Sequence, residues 1–351
     1  MVSFWSGICQ CLEQGEEVVV ATVVQHAGST PRTSGSKMFV RSDGRASGTI
    51  GGGALEGDVI RSSLNLFATR GAALKFYDFS DSAGTRDLDL ICGGQMRVLM
   101  EHLSAEARNL ELYGALSDAA GSSIPVLCVG RLEGDDTDLV VERSVITAGG
   151  ETIGSAPMSP DLVQELGAHA ARHPSASLLT LGDQRYVVEA ILPQLTVYLV
   201  GAGHVSMEIA WLAERAGFRT VVMDDRTEFA TRERFPSADT VLVCPDFRQV
   251  FDGFDIGAES CIVIVTRGHR FDKEVLAQAL ESRAGYIGMI GSVRKRDTIY
   301  RALVDEGVDP GDLERVYCPV GLPIDAETPA EIAVSIAAQL IAHRARLRGH
   351  A

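Results

Sequence analysis

Thr196-Val197-Tyr198-Leu199-Val200-Gly201-Ala202-Gly203-His204-Val205-Ser206 is the stretch that decides the fold of the second half of this chain. A short run of β-branched and apolar residues reads as a buried strand, two glycines as a tight turn, and residues 207–216 as a helix stopped by Gly217. A second strand over residues 220–223 closes on Asp224 and Asp225, the latter 24 positions after Gly201. Strand, Gly-x-Gly turn, helix and a carboxylate at that distance form the context of a dinucleotide fingerprint. Ser206 stands where a third glycine is usual, and it is small enough for close helix-to-strand packing.

The alternation continues outward. Strands are expected at 240–243, 261–266 and 286–290, with helices at 273–282 and 295–306, the signature of a Rossmann-like, doubly wound parallel sheet. Thr328, Pro329 and Glu331 supply a capping box with proline at the first helical position, and Ile332, Ile336 and Leu340 continue as the apolar face of a last helix. In such a sheet the carboxyl ends of the strands face the ligand crevice. Candidate binding residues there are Gly201, Gly203, His204, Asp224, Asp225, Arg267, His269, Gly291 and Ser292. The two aspartates suit a ribose 2′-hydroxyl and repel a 2′-phosphate, which favours NAD over NADP if a dinucleotide binds; otherwise the crevice holds another nucleotide-bearing molecule, or nothing. His269 is either a phosphate-binding residue or a structural hydrogen-bonding one. With Asp272 on the same short loop it does not fill a metal coordination shell. The run Arg294-Lys295-Arg296 reads as a solvated helix start.

The first half reads as a mixed α/β domain over residues 1–192, separated near Pro193 from the Rossmann-like domain over 193–351. Phe4, Trp5, Ile8 and Leu12 mark a helix, residues 18–24 a strand buried on both faces, and 37–41, 74–79 and 96–100 further strands. Residues 105–191 alternate helix and strand with little that looks chemical, and read as scaffold. Chemistry concentrates in loops. Gly48-Thr49-Ile50-Gly51-Gly52-Gly53-Ala54-Leu55-Glu56 has four glycines in six residues and opens a helix carrying Leu55, Val59, Ile60, Leu64 and Phe67. Free N–H groups at a helix start favour an anion, and the absence of a Gly-Lys-Ser/Thr ending excludes a simple ATP or GTP loop. Glu56 is a general base, a ligand-ordering carboxylate or only a helix N-terminal acid. Gly28-Ser29-Thr30-Pro31-Arg32 presents Arg32 from a proline turn, and Cys92 beside Gly93-Gly94 either offers a thiol or is a buried, inert residue.

The bulk properties set limits. A net charge of −15, without a basic stripe, argues against nucleic acid as a partner. With 46% hydrophobic and 23% charged residues the chain is an ordinary folded protein, and no apolar run reaches membrane-spanning length, so a soluble, cytoplasmic protein is expected. Seven scattered cysteines without a CxxC pair fit reduced thiols, and Cys9 and Cys11 point roughly 200° apart on a helix of ~3.6 residues per turn. No Ser-His-Asp, HExxH or kinase-like set can be read, so no catalytic residue and no metal site is assigned.

With these motifs in hand the chain resembles the XdhC/CoxI family, maturation factors for molybdenum hydroxylases such as xanthine dehydrogenase. The resemblance rests on Gly28–Arg32 with Gly35 and Met38, on Gly48–Glu56, on Cys92-Gly93-Gly94, on Gly201–Val205, on Thr266–Asp272, on Tyr286–Lys295 and on Gly321–Ala333. The last block departs from the family form Gly-Leu-Asp-Ile-Gly-Ala, since Pro323 and Asp325 take its third and fifth places. The resemblance implies an N-terminal XdhC/CoxI domain before the Rossmann-like domain. It implies a chaperone, more an accessory factor than a catalyst, that binds the molybdopterin form of the molybdenum cofactor while a cysteine desulfurase or sulfurase supplies the sulfido ligand. It implies delivery to an apo molybdenum hydroxylase, and a homodimer is expected. Ser29, Arg32, Gly51, Gly52, Gly53, Glu56, Cys92, Gly93 and Gly94 are then the first-domain candidates for cofactor binding. The alternative is a NAD-dependent oxidoreductase using Gly201, Gly203 and Asp225.

Overall fold

A computed structural model describes residues 4–79, 93–122, 124–155 and 158–348 of the chain. It divides into two compact units, Val2–Pro193 and Gln194–Ala351.

The first unit is built on a strand with no wet side. In β1 (Val18–Ala27) the first seven residues are buried, and alternate side chains go to opposite faces. Val19, Ala21 and Val23 pack on Leu55, Val59 and Leu66 of α2 (Gly53–Thr69). Val18 and Val20 pack on Ile8 and Leu12 of α1 (Phe4–Glu13) and on Leu112 and Leu116 of α3 (Ala107–Gly121). The flanking strands are β2 (Lys37–Arg41), β3 (Ala46–Gly48), β4 (Ala72–Asp78) and β5 (Gln95–Leu103), all antiparallel to their neighbours.

The scaffold stretch adds β6 (Val126–Asp135), β7 (Asp138–Ile146), β8 (Thr152–Gly154), α4 (Pro160–Arg172), β9 (Ser177–Leu181) and β10 (Gln184–Ile191). The sheet runs β3-β2-β1-β5-β4-β7-β6-β10-β9, with β8 beside β7. Its two halves meet at a single register pair, Ala72 with Leu139. They nevertheless share a core of Val24, Leu74 and Leu99 with Leu132, Leu139 and Val187, so the sheet folds over on itself. Two charge pairs bridge the fold. Arg143 on β7 grips Glu101 on β5 with Nε at 2.8 Å from Oε1 and a second N–H on Oε2, and Lys37 on β2 pairs with Glu189 on β10. Arg143 and Glu101 are almost wholly enclosed, with Tyr113 and Cys128 beside them. The stretch that reads as plain scaffold therefore supplies half of a buried ionic cluster.

The second unit is an all-parallel sheet. Its elements are β11 (Thr196–Val200), α5 (His204–Arg215), β12 (Arg219–Asp224), β13 (Thr240–Val243), β14 (Ser260–Ile264), α6 (His269–Glu281), β15 (Tyr286–Met289), α7 (Val293–Asp305), a 3-10 turn (Pro310–Arg315), β16 (Val316–Tyr317) and α8 (Pro329–Leu347). The order β13-β12-β11-β14-β15-β16 is that of two mononucleotide-binding halves joined at β11/β14. Ile209 and Ala213 of α5 with Ala333, Ile336 and Leu340 of α8 cover one face, and Val275 and Leu276 of α6 with Ile299 and Leu303 of α7 cover the other. Helices α5, α6 and α7 begin earlier than apolar periodicity indicates, because their first turns are polar and start directly on Gly203, Gly268 and Ser292. The short strands β3, β8, β9 and β16 carry too few alternating residues to stand out in the sequence. The box at Thr328 and Glu331 forms as read. Among the described residues no helix is long and apolar enough to cross a membrane.

Asp325 adopts φ 55°, a left-handed conformation, at the place where the family form has glycine. Short polar side chains tolerate that region best, so the backbone shape survives the substitution. Replacing Asp325 by Gly should change stability by less than about 0.5 kcal/mol, while Asp325→Val should cost roughly 1–2 kcal/mol. The buried pair gives a larger effect. Arg143→Ala strands Glu101 without its partner and should cost about 3–5 kcal/mol, against less than ~0.5 kcal/mol for the exposed Arg61→Ala. Urea unfolding followed by circular dichroism checks all four.

Candidate functional site

Three loops distant in sequence meet at one end of the first unit. Ala27 of β1 pairs with Gln95 of β5, and the chain leaves this pair into Gly28 on one strand and Gly94 on the other. A Cβ on Gly94 would lie 2.5 Å from the Ser29 carbonyl oxygen and 2.6 Å from that of Ala27, so only glycine lets the loops touch. On the other side Pro31 packs on Gly51, where a Cβ would lie 2.5 Å from the proline ring. The turn at residues 28–32 is thus wedged between Gly93-Gly94 and the glycine loop. Cys92 lies outside the described residues.

Glu56 turns back into the loop that precedes it. Its Oε1 accepts hydrogen bonds from Thr49 Oγ1 at 2.5 Å, Gly52 N at 2.9 Å and Ile50 N at 3.0 Å. Partial burial pushes its pKa up, but the donors of Thr49, Gly52, Ile50 and Gly51 outweigh it and hold the carboxyl below the ordinary 4.5. The loop is an anion nest that seats the protein's own carboxylate. The N–H groups of Ile50 and Gly52 are therefore committed, and an external anion is left with the start of α2, which has no side-chain cap. Beside Gly52, Gly53 and Gly93 the space that a Cβ would enter is open. Thr30 Oγ1 ties the turn to the Arg32 carbonyl at 2.8 Å, and the Arg32 side chain is exposed with no ion-pair or hydrogen-bond partner among the described residues. Ser29 is exposed at the turn.

In the second unit the expected residues line the carboxyl edge of the sheet. Gly201 has φ 110°, and a Cβ there would lie 2.4 Å from the Val265 carbonyl oxygen. Ser206 is buried and donates its hydroxyl to the Gly201 carbonyl, so the residue in the third fingerprint position locks the turn. Asp224, 1% exposed, accepts from Ala202 N at 2.7 Å and from both Nε and a terminal nitrogen of Arg226 at 2.8 Å. Burial raises its pKa, yet the Arg226 fork and the N–H groups of Ala202 and Arg226 bring it below the usual aspartate range. Both its oxygens are used inside the protein. Asp225 is held by Arg267 at 2.7 Å. Arg226 and Arg234 both lie over the Phe229 ring, and Arg234 reaches the Ala202 carbonyl at 3.3 Å.

Further along the edge, His204 is the exposed first residue of α5 behind its cap Gly203. His269 is the first residue of α6, described in its backbone only. Ser292 caps α7 by accepting from Lys295 N at 3.2 Å. Lys295 does not project into water as its basic run indicates. Its stem folds over Gly291 and its Nζ pairs with the fully buried Asp272 and the Ile290 carbonyl, while Thr266 Oγ1 donates to Asp272 at 2.7 Å. Sequence reasoning misses this Thr266–Asp272–Lys295 set and the Arg226 fork. The only local signal is Arg226 directly following two aspartates, whereas Lys295 and Asp272 are 23 positions apart on different helices. Among the described residues no group of three or more His, Cys, Asp or Glu is placed to hold a metal.

Residues 197–340 match the family model of the XdhC Rossmann domain, and residues 11–78 match that of the XdhC and CoxI family. A probable xanthine dehydrogenase subunit of Bacillus subtilis (strain 168) is 29% identical over 351 residues, 99% of each chain. The uncharacterized protein YqeB of Escherichia coli (strain K12) is 27% identical over 94% of this chain, which spans 44% of that longer protein. Among solved structures, a xanthine dehydrogenase from Bacillus halodurans superposes with a TM-score of 0.78 at 26% identity, covering 96% of both chains. Two domain matches in the same order as the two units, together more than half of the chain, and a shared fold along nearly all of it place this protein in the XdhC and CoxI family.

Proposed function

We propose that the protein is an accessory factor that binds the molybdenum cofactor in its molybdopterin form, shelters it, and assists its sulfuration and insertion into a xanthine dehydrogenase-type hydroxylase. The observation that carries this reading is that the 28–32 turn, whose Arg32 has no partner among the described residues, is wedged between Gly93-Gly94 and the glycine loop that leads into the uncapped start of α2. A phosphate-bearing ligand needs fixed N–H donors, one cation and backbone free of side-chain cover, and these three loops have each. Arg32 and the first N–H groups of α2 would hold the phosphate. Gly52, Gly53 and Gly93 would let the ligand approach the main chain, and Glu56 would keep the loop in shape. When bound, the cofactor supplies the molybdenum centre that receives the sulfido ligand, and the residues named here bind and shield. An apo-hydroxylase and a sulfur donor such as a cysteine desulfurase are the partners this role requires. A hydride-transfer role depends on Asp224 or Asp225 reaching a ribose; both oxygens of Asp224 are taken by Ala202 and Arg226, and Asp225 is paired with Arg267 through Oδ2.

Two measurements bear on this. Protein purified anaerobically from cells making molybdopterin, then oxidised, should release the fluorescent pterin product. Arg32→Ala and Cys92→Ser should each retain less while the thermal midpoint stays unchanged, and a wild type that carries no pterin and fails to protect added cofactor would refute the reading. Glu56→Gln tests the loop. Since the folded pKa of Glu56 lies below 4.5, its stabilisation is complete above that value and fades as pH falls through the folded pKa. The substitution should therefore cost roughly 1–2 kcal/mol at neutral pH and progressively less in acid, as read from urea midpoints across pH.

A further inference from the structure

The face of the first sheet that carries the shared core has an open end beside these loops, and it is furnished for a different kind of contact. Past the bulge between Val23 and Gln25, Gln25 lies opposite Arg97, and Arg97 opposite Phe76. Paired residues share a face, so these three side chains form one row across β1, β5 and β4. Two positions further in, Leu99 and Leu74 continue the same face into the core shared with Leu132 and Val187. In the next row out, Ala27, Gln95 and Asp78 are aligned in the same way. Gln25, Phe76, Gln95 and Arg97 border a recess of about 130 Å³.

Its chemistry is neither that of an anion site nor that of a greasy slot. Phe76 is 51% exposed, with the Arg97 guanidinium 5.6 Å from its ring centroid, so two flat surfaces stand together at the recess. Asp136 lies 3.6 Å from Arg97 and offsets its charge. The Gln95 amide nitrogen donates to Asp78 at 2.9 Å, which turns its carbonyl oxygen the other way as an acceptor. The Gln25 amide has no partner among the described residues and offers both a donor and an acceptor. Flat apolar surface, a guanidinium plane and neutral amides suit a planar heterocycle with a hydrogen-bonding edge. The volume is less than half of the ~300 Å³ at which pockets for whole small molecules begin, so the recess takes a ring and not an entire cofactor. Ala27 and Gln95 run directly into Gly28 and Gly94, so a ring seated here is contiguous with the anion-binding loops.

We propose that this recess seats the pterin ring of the cofactor, with Phe76 and Arg97 as its stacking surfaces and the Gln25 and Gln95 amides on its edge. This rests on the cofactor-binding reading above. The probe is pterin itself, 2-amino-4-oxopteridine, which lacks phosphate, dithiolene and metal, titrated into the full chain and followed by its own fluorescence. The wild type should bind saturably and inorganic phosphate should not displace the probe. Phe76→Ala should weaken binding by roughly tenfold or more, the size of a lost ring stack, Gln25→Ala should weaken it less, and Arg61→Ala should leave it unchanged. Phe76→Leu, which keeps apolar bulk without the flat ring, should reproduce the loss with an unaltered thermal midpoint. No saturable binding to the wild type, displacement by phosphate, or equal affinity in the Phe76 and Gln25 variants would overturn the assignment. Molybdopterin content separates the two ideas. A wild type and a Phe76→Ala variant carrying equal cofactor would remove the recess and leave the chaperone, whereas a wild type without cofactor that still binds pterin through Phe76 would do the reverse.

Discussion

Main-chain N–H groups in a glycine-rich turn need acceptors, and in both units the protein supplies one from its own sequence. Glu56 collects a hydroxyl and two N–H groups of the 48–56 loop, and Asp224 takes the N–H of Ala202 in the fingerprint turn. Each carboxylate fixes the loop that was free to bind an anion. The rest of each site takes its shape from this. In the first unit the loop can then press Gly51 on Pro31, which in turn positions Ser29 against Gly94. In the second the fixed turn lets Gly201 approach Val265 and brings Arg226 and Arg234 together over Phe229.

The acid in a dinucleotide fingerprint ordinarily reads a ribose; of the two acids at the end of β12, Asp224 is a structural carboxylate clamped by an arginine two residues on, and Asp225 is paired with Arg267. The Rossmann-like fold is thus present with Asp224 turned inward. Fold and ligand are separable properties, and the carboxyl edge of this sheet carries an arginine-rich rim and a buried Thr266–Asp272–Lys295 network in place of an open acid. The first unit uses its buried charge differently. Arg143 with Glu101 and Lys37 with Glu189 tie strands on opposite sides of a folded sheet, where a single backbone register pair joins the halves. Such pairs specify one arrangement because any slip would bury a charge alone.

Much of the architecture is legible in the sequence. The βαβ alternation, the capped last helix and the doubly buried β1 follow from periodicity and cap chemistry, which act over a few residues. The candidate loops are legible too, since glycine clusters and a proline turn announce themselves locally. What escapes are contacts across long separations. The charged neighbours of Lys295 point to solvent, yet its side chain folds onto Asp272. Glu189 lies in a stretch without chemical signals, yet it partners Lys37 152 positions away.

The sequence by itself determined the longer helices and strands, that the second unit is a doubly wound parallel sheet, and which loops are stripped of side chains. These are consequences of local sterics and of the side-chain period. Tertiary structure alone decided that Gly28–Arg32, Gly51 and Gly94 meet, that Glu56 and Asp224 face inward, and that Gln25, Arg97 and Phe76 stand in one row. The reason is physical. A carboxylate or a guanidinium has the same chemistry wherever it lies in the chain, and whether it is left for a ligand depends on which distant N–H group or charge the fold brings within about 3 Å of it.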